Sequence, residues 1–236
     1  SFDAVFLGFD SRKARPLELP GADLPGVVQA LPFILQKITP VPLELPPIEV
    51  SGKRVVVLGA GDTAMDCLRT AIRCGAREAV CVYRRDEMDM PCGRHEYENA
   101  VEEGARFVFQ AAPVAVLGDD QRRVTGLRLI RTELGLMDSP GPRPFLVRSG
   151  SEFELLADLV VLALGFDPLP CPHSGDLSDL AVNDWGGIVV DGNQMTSIPG
   201  VFAGGDIVRG PCMVLHAVRD ARRAAAQIHA YLAARL

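Results

Sequence analysis

An α/β fold with a parallel sheet is predicted by three consecutive features of this sequence. A continuous apolar strand covers Arg54–Leu58, a helical pattern follows over Asp62–Arg73, and a second apolar strand covers residues 79–83. Strands without polar alternation are typical of parallel sheets that are buried on both faces. Strand, helix and strand together occupy about 30 residues, which is the length of one βαβ unit.

The elements after the first strand have their own supporting patterns. Apolar residues recur at helical spacing from Ala64 to Ile72, and Gly75 supplies a C-terminal stop for the helix. A second helix is predicted over residues 96–104, and a third strand over residues 106–110. We expect these elements to extend the parallel sheet.

The periodicity changes between residues 113 and 154, where short β runs are separated by Gly, Pro and Asp turns. This pattern indicates an antiparallel meander. We expect the meander to cover one side of the parallel sheet. Its predicted strands are residues 114–117, 124–131 and 145–148.

Two segments, residues 3–8 and 158–165, share the pattern of an acid, an apolar run and a glycine. Between them, four prolines in residues 39–47 remove backbone donors and fix φ, which predicts an extended linker and a boundary near residue 48. The remaining predicted elements are strands at residues 187–190 and 201–203 and an Ala-rich helix over residues 213–232.

Composition argues against several classes of function. The 236 residues carry a formal net charge of −6, so no general attraction to nucleic acid or to an acidic membrane is expected. No run reaches the roughly 18 apolar residues of a membrane span, and no signal peptide opens the chain. The six cysteines form no C-x-x-C pair, which argues against zinc, iron–sulfur ligation and a redox dithiol. We therefore predict a cytoplasmic protein with free thiols and no metal site.

The glycines between the first strand and its helix follow the pattern G-x-G-x-x-A of dinucleotide-binding, Rossmann-like folds. Gly59 allows the tight turn, Gly61 lets backbone amides approach a pyrophosphate, and Ala64 permits close packing of helix and strand. The positive end of the helix would then face the pyrophosphate. The alternative is a tight turn without a ligand. The predicted dinucleotide site comprises Gly59, Ala60, Gly61, Asp62, Thr63 and Ala64.

The second strand ends in Tyr83-Arg84-Arg85, where an NAD-binding unit usually places an acid. Two guanidiniums suit a 2′-phosphate, because they form charge-assisted bidentate hydrogen bonds, whereas an acid would repel it. The sequence therefore favours NADPH over NADH. The alternative is a solvated basic strand end, in keeping with the acids Asp86 and Glu87 that follow.

Near the C-terminus an apolar strand runs into Gly204-Gly205-Asp206, just before a helical segment. The glycines would let a ligand lie against the backbone, and Asp206 would accept hydrogen bonds from ligand hydroxyls, as on a ribityl chain. The alternative is that Asp206 only caps or braces the turn.

These motifs resemble those of flavoproteins with two dinucleotide-binding domains. Residues 204–206 look like their second flavin signature, and residues 163–168 resemble the crossover between their NADPH and FAD domains. More closely, the chain resembles the small (β) subunit of NADPH-dependent glutamate synthases over nearly its whole length. The stretches that carry this closer resemblance are residues 59–67, 83–87, 90–91 and 131–135.

The resemblance implies an oxidoreductase that oxidises NADPH at FAD and passes electrons through iron–sulfur clusters to the glutamate synthase large subunit, which makes glutamate from 2-oxoglutarate and glutamine. It places Asp206 at the FAD ribityl chain, and Arg84 and Arg85 at the NADPH 2′-phosphate. It also adds Gly165 and Gly205 to the predicted cofactor-binding set. No catalytic side chain is predicted, because hydride transfer requires alignment of two rings more than a protein acid or base.

By this resemblance, the NADPH-binding domain is inserted in an incomplete FAD-binding domain. The family's first FAD fingerprint and cysteine-rich segment are absent, and the chain opens directly in a strand, so we expect a C-terminal fragment. We predict that it binds FAD weakly or not at all, that iron–sulfur clusters occur only in a missing N-terminal part, and that the fragment alone is inactive. The predicted parts are residues 1–48 (partial FAD-binding domain and linker), 49–164 (NADPH-binding domain) and 165–236 (C-terminal part of the FAD-binding domain).

Two other functions stay open at the level of the sequence. One is another NADPH–FAD electron-transfer subunit, such as a ferredoxin–NADP reductase relative or the reductase portion of a pyrimidine-reducing enzyme, because a shared fold does not fix function. The other is a module that binds NADPH without turnover. Residues 88–92 are also open to two interpretations, as a loop that closes over the nicotinamide or as one that packs on the sheet edge.

Overall fold

Two compact units make up the chain, of which the computed structural model describes residues 2–9, 13–39, 46–136, 143–167 and 177–235. The larger unit is Pro16–Gly165, and the smaller unit is Ser1–Arg15 together with Phe166–Leu236. The larger unit begins before residue 49, where we predict the NADPH-binding domain to begin. The strand Val27–Gln29 pairs with the parallel sheet of this unit, and the helix Ala30–Ile38 packs on one face of that sheet. The predicted linker lies mostly outside the described residues. The assignment of the flanking parts to a FAD-binding domain stays a prediction.

Among the described residues, strands and helices alternate between residues 27 and 108, and from there to residue 203 strands follow one another. The strands are β1 (Val5–Leu7), β2 (Lys13–Ala14), β3 (Val27–Gln29), β4 (Arg54–Leu58), β5 (Glu78–Val82), β6 (Arg106–Val108), β7 (Ala111–Gly118), β8 (Val124–Leu134), β9 (Phe145–Val147), β10 (Phe153–Leu156), β11 (Leu159–Leu162), β12 (Phe166–Asp167) and β13 (Val201–Ala203). The helices are α1 (Ala30–Ile38), α2 (Asp62–Arg73), α3 (Arg94–Glu102), α4 (Asp206–Arg209) and α5 (Val214–Ala233), with a 3-10 turn at Glu87–Asp89. Within the described ranges, no helix combines the length and the apolar character that crossing a membrane requires.

The larger unit is built on a five-stranded parallel sheet with the order β3-β11-β4-β5-β6. The predicted βαβ unit is confirmed: β4 and α2 have the predicted bounds, and β5 is shifted by one residue. Side chains alternate across β4, so Val55 and Val57 face the helices, whereas Val56 and Leu58 face the meander. The continuous apolar run therefore reflects burial on both faces of the sheet.

Helix α1 is absent from the sequence predictions, and its third residue is Pro32. A proline is tolerated there because the backbone N–H groups of the first turn have no partner within the helix. The Phe33 side chain of α1 is fully buried and joins Met65 and Leu68 of α2 on one face of the sheet. Burial of this face stabilises a helix that the local sequence does not predict.

The antiparallel meander is confirmed on the opposite face of the sheet. Strand β8 pairs with β7, β9 and β10. Leu127 and Leu129 of β8 are fully buried in one cluster with Val80 and Val160 of the parallel sheet. The meander therefore covers one side of the sheet, as the sequence predicts.

In the smaller unit, β1 pairs in parallel with β13, and β2 pairs with β12 in the antiparallel direction. Helix α5 packs against β13, where the rings of Tyr231 and Phe202 meet edge-on with centroids 5.9 Å apart. The prediction of a strand over residues 187–190 is wrong. The Asn183 amide donates to the Gly187 carbonyl, and the Gly187 amide donates to Asn183 Oδ1, so these residues form a tight turn. In place of a strand, this segment has one isolated β-bridge, between Val182 and Ile188.

A charge pair joins the start of β4 to the residue before β11. Asp158 accepts hydrogen bonds from the Arg54 guanidinium at 2.6 and 2.9 Å and from the Arg54 backbone N–H at 2.8 Å. The backbone N–H of Asp158 donates in turn to the Arg54 carbonyl at 2.9 Å. Hydrogen bonding from the Arg54 guanidinium lowers the pKa of Asp158 from 3.8 to about 2. The pair fixes the register of these two neighbouring strands at their starts.

We expect Asp158→Asn to lower the urea midpoint of unfolding at neutral pH. Because the folded-state pKa of Asp158 lies below its ordinary value, the charge contributes stability above about pH 4 and loses this contribution as the pH falls from about 4 to about 2. The midpoints of the variant and the wild type should therefore converge over this window. Asp23→Asn is the matched control, because the Asp23–Arg122 pair is 75% and 61% exposed and should contribute little. A difference independent of pH would contradict the assignment to charge.

Candidate functional site

The loop between β4 and α2 is held tightly by its neighbours. Gly59 has a φ of +122°, and a Cβ built there would lie 2.2 Å from the carbonyl oxygen of Ala163. The Gly59 amide donates to the carbonyl of Val82 at 3.2 Å. The protein itself therefore requires glycine at this position, whether or not a ligand is bound.

Gly61 is a different case. Its φ is −84°, a value that any residue adopts, and the atom nearest to an added Cβ would be Pro91 Cγ at 3.9 Å, an ordinary contact. The protein packing does not require glycine here. A ligand that lies against the backbone does require it, and the open space beside Gly61 fits such a ligand.

Helix α2 begins at this open space. The Gly61 carbonyl accepts hydrogen bonds from the amides of Ala64 at 2.9 Å and Met65 at 3.2 Å. The amides of Asp62 and Thr63 have no carbonyl partner within the helix and give its amino end a partial positive charge. An anionic diphosphate suits such an end. Ala64 is fully buried against the sheet, as the predicted role in close packing requires.

The carboxylate of Asp62 points to a neighbouring segment. It accepts a hydrogen bond from the backbone N–H of Gly93 at 2.9 Å. Asp62 therefore enters the predicted site through its backbone amide, while its side chain ties residues 86–93 to the start of α2.

Residues 86–93 pack against the rest of the larger unit. Asp86 caps the 3-10 turn by accepting from the Met88 amide at 2.9 Å, and the Tyr83 hydroxyl donates to the Asp89 carbonyl at 2.7 Å. Met90 and Cys92 lie against the buried cluster on the helical side of the sheet. These contacts support the packing interpretation of this loop, although the Met88 side chain itself is exposed.

The two arginines after β5 have different environments. Arg84 is exposed, whereas Arg85 is 8% exposed, and its guanidinium donates to the carbonyl of Arg143. Both guanidiniums lie over the ring of Phe145, at 4.9 Å from its centroid for Arg84 and 5.8 Å for Arg85. Arg84 is exposed to solvent, whereas Arg85 is largely enclosed by the protein. The predicted pair is thus divided between an accessible and a buried arginine.

A groove of about 480 Å³ lies in the smaller unit, at the carboxyl ends of β1 and β13. Its walls include Gly205, Asp206 and the half-exposed rings of Phe6 and Phe9. Gly205 has a φ of +77°, so its backbone geometry favours glycine. An apolar wall beside a polar turn fits the ribityl and ring portions of a flavin.

Asp206 braces the turn at one end of the groove. Its Oδ1 accepts from the Cys212 amide at 3.3 Å and from the Cys212 thiol at 3.2 Å. Burial and this hydrogen bond raise the pKa of the Cys212 thiol to about 11, so the thiol stays protonated and donates. Asp206 both braces the turn and lines the groove, and its predicted contact with a ribityl chain stays a prediction.

Asp220 of α5 is a supporting residue that the motifs do not reveal. It is 1% exposed and accepts from the Arg209 guanidinium at 2.5 and 2.7 Å and from the Gly205 amide at 3.3 Å. Hydrogen bonding from Arg209 lowers the pKa of Asp220 to about 2, so it is a buried carboxylate. The only signal in the sequence is an acid one turn before Ala224, on the buried face of an Ala-rich helix.

Two further observations complete the site. Gly165 has a φ of +94°, which explains glycine by backbone geometry, and its role in cofactor binding stays a prediction. Among the residues that the structure describes, no group of three or more His, Cys, Asp or Glu side chains is placed to hold a metal ion.

Comparison with known proteins gives consistent results. The sequence model of the family described as "Pyridine nucleotide-disulphide oxidoreductase" matches residues 1–221. The small chain of glutamate synthase [NADPH] from Azospirillum brasilense is 46% identical over 98% of this chain and 49% of its own length. The NADPH-Fe(3+) oxidoreductase subunit beta from Geobacter sulfurreducens is 34% identical over 98% of this chain and 37% of its own length. The chain thus spans half or less of these relatives.

A solved structure shows the same fold. FprA from Mycobacterium tuberculosis in complex with NADPH superposes with a TM-score of 0.79 and 22% identity, over 98% of this chain and 64% of FprA. The parallel sheet, the covering meander and the paired β1 and β13 therefore form a known architecture.

Substitutions at the two glycines of the loop between β4 and α2 should differ in their effect on stability. Gly59→Ala is expected to destabilise the fold by at least about 2 kcal/mol, because both φ and the Ala163 carbonyl exclude a Cβ. Gly61→Ala is expected to change stability by less than about 0.5 kcal/mol, because open space receives the methyl group. Thermal unfolding of both variants checks this difference. Equal losses would show that Gly61 also serves the fold.

Proposed function

Because this chain belongs to the pyridine nucleotide-disulphide oxidoreductase family, we propose that it is part of an NADPH-dependent flavoprotein oxidoreductase. The observation that carries the proposal is the glycine at position 61. Protein packing does not require a glycine there, and the space beside it lies at the amino end of α2. A dinucleotide pyrophosphate is the ligand that suits a glycine turn and a helix end together. The larger unit is the NADPH-binding part, and the groove of the smaller unit receives FAD.

The residues of the chain bind and orient both cofactors. The amides of Gly61, Asp62 and Thr63 hold the pyrophosphate, and the exposed Arg84 guanidinium holds the 2′-phosphate that distinguishes NADPH from NADH. Asp206 accepts hydrogen bonds from the flavin's ribityl hydroxyls. Bound together by these residues, the two cofactors would supply the chemistry of hydride transfer between a nicotinamide and a flavin. The chain supplies binding and alignment, and no side chain is assigned to move a proton.

We propose that the electrons pass to a glutamate synthase large subunit through iron–sulfur clusters outside this chain. The identity of 46% with the Azospirillum brasilense small chain supports this assignment. A second candidate is an electron-transfer subunit with another acceptor, and the 34% identity with the Geobacter sulfurreducens NADPH-Fe(3+) oxidoreductase subunit favours it. The motifs of the NADPH site serve either acceptor.

We also propose that the protein works in the cytoplasm. The five described cysteines are free thiols, as expected in a reducing compartment. Burial raises the pKa of Cys67 and Cys81 far above the ordinary value. These two thiols are therefore unreactive residues of the core rather than redox groups.

Arg84→Ala is expected to weaken NADPH binding by about tenfold or more, because a charge-assisted hydrogen bond to the phosphate is lost. NADH binding should change little. Fluorescence titration with both dinucleotides measures the ratio. Arg122→Ala is the matched control, because Arg122 is an exposed arginine of the same unit that pairs with Asp23. An unchanged ratio in Arg84→Ala would show that the 2′-phosphate is held elsewhere.

Turnover separates the enzyme from a module that only binds NADPH. In the protein loaded with FAD, we expect NADPH to reduce an artificial acceptor such as ferricyanide, and Gly61→Ala to lose this activity while staying folded. Binding of both cofactors without any reduction of the acceptor would favour the sensor. The protein without FAD, as a control, is expected to be inactive because the hydride then has no acceptor.

A further inference from the structure

The arginines after β5 are held by a distant part of the chain. Residues Thr132–Leu134 of β8 pair with Phe145–Val147 of β9, and we call these residues the β8–β9 pair. Phe145 is the first residue of β9, and its ring lies under the guanidiniums of both Arg84 and Arg85. The meander therefore extends beyond the sheet face that it covers and reaches the predicted 2′-phosphate site.

Two hydrogen bonds hold the backbone of Arg84 and Arg85 in place. The Thr132 hydroxyl donates to the Arg84 carbonyl at 2.7 Å, and the Thr132 side chain is 2% exposed. The Gln110 amide donates to the Arg85 carbonyl at 2.9 Å. These bonds set the direction in which the two side chains leave the backbone.

The Phe145 ring contacts the guanidiniums of both Arg84 and Arg85, and the carbonyl of Arg143 holds the guanidinium of Arg85. Arg85 donates to the carbonyl of Arg143, and Arg143 in turn donates from Nε to the carbonyl of Gly135 at 2.9 Å. A guanidinium over an aromatic face is attracted to the ring, and the ring limits the orientations that the guanidinium adopts. An arginine that is already ordered loses less conformational freedom when it binds a phosphate.

We propose that Phe145 is a positioning residue for recognition of the 2′-phosphate. It holds the exposed Arg84 in the orientation that receives the phosphate, with the buried Arg85 as the second cation on the same ring. Selectivity for NADPH is then set by the β8–β9 pair as well as by the end of β5. This inference rests on the proposed binding of NADPH in the larger unit.

Calorimetric titration of the full chain with adenosine 2′,5′-bisphosphate and with adenosine 5′-monophosphate tests the proposal without turnover. Phe145→Leu is expected to weaken binding of the bisphosphate by roughly two- to fivefold, the usual strength of an exposed cation–π contact. Binding of the monophosphate should not change. Phe145→Tyr keeps an aromatic face and should restore the wild-type ratio.

The matched control is Phe153→Leu. The Phe153 ring carries the guanidinium of Arg131 at 4.2 Å, in the same meander but on another arginine, so its loss should leave the ratio of the two affinities unchanged. If Phe145→Leu does not fold, Phe145→Met supplies a second variant without a ring and with similar apolar bulk.

The outcomes distinguish the NADPH site itself from the role of Phe145 in it. A wild-type chain that binds both ligands equally would overturn the proposed NADPH site itself. A wild-type chain that prefers the bisphosphate, with the same preference in Phe145→Leu or Phe145→Met, would overturn the role of Phe145 and leave the NADPH site intact. An equal loss of affinity for both ligands would assign Phe145 a structural role only.

Discussion

The close approach of Gly59 to the backbone of Ala163 is the contact on which the larger unit depends. No side chain fits between the Gly59 backbone and the Ala163 carbonyl, and the Ala163 amide donates to the Leu58 carbonyl at 2.9 Å. At their other ends, β4 and β11 are joined by Arg54 and Asp158. Because β4 and β11 are joined at both ends, the position of the turn from β4 into α2 is fixed. That turn sets the position of the amino end of α2 and of the open space beside Gly61.

The smaller unit holds its glycine turn by a buried charge as well as by backbone contact, since the Gly204 amide donates to the Leu7 carbonyl at 3.2 Å. The buried carboxylate of Asp220 accepts from the Gly205 amide and is paired with Arg209. A buried carboxylate is costly unless its oxygens are bonded, and Arg209 supplies two of those bonds. The turn can therefore stay open toward the groove, where Phe6 and Phe9 leave apolar surface exposed. That arrangement suits a ligand with both a planar apolar part and hydroxyl groups.

The proposed recognition of the NADPH 2′-phosphate would draw on residues that are far apart in sequence. Arg84 follows β5, whereas the ring beneath it belongs to β9 and the hydroxyl that holds its carbonyl belongs to β8. The meander thus has two roles: it buries one face of the parallel sheet through Leu127 and Leu129, and it orders the arginines through Thr132 and Phe145. Exposed arginines alone would bind a phosphate more weakly, because their side-chain freedom would be lost on binding.

The sequence by itself determined the βαβ unit, the meander and the position of the glycine loop between β4 and α2, because these depend on local patterns: an unbroken apolar strand, helical spacing and glycines at fixed intervals. It did not determine helix α1, which forms despite Pro32 because Phe33 is buried on the sheet. It assigned the tight turn to Gly59 and the approach of a ligand to Gly61, but it did not separate Arg84 from Arg85, since the two residues are identical and only their neighbours differ. Those neighbours, Phe145 and Arg143, lie more than fifty positions away. Only the tertiary structure brings them into contact with the arginines, and it thereby decided which arginine faces solvent.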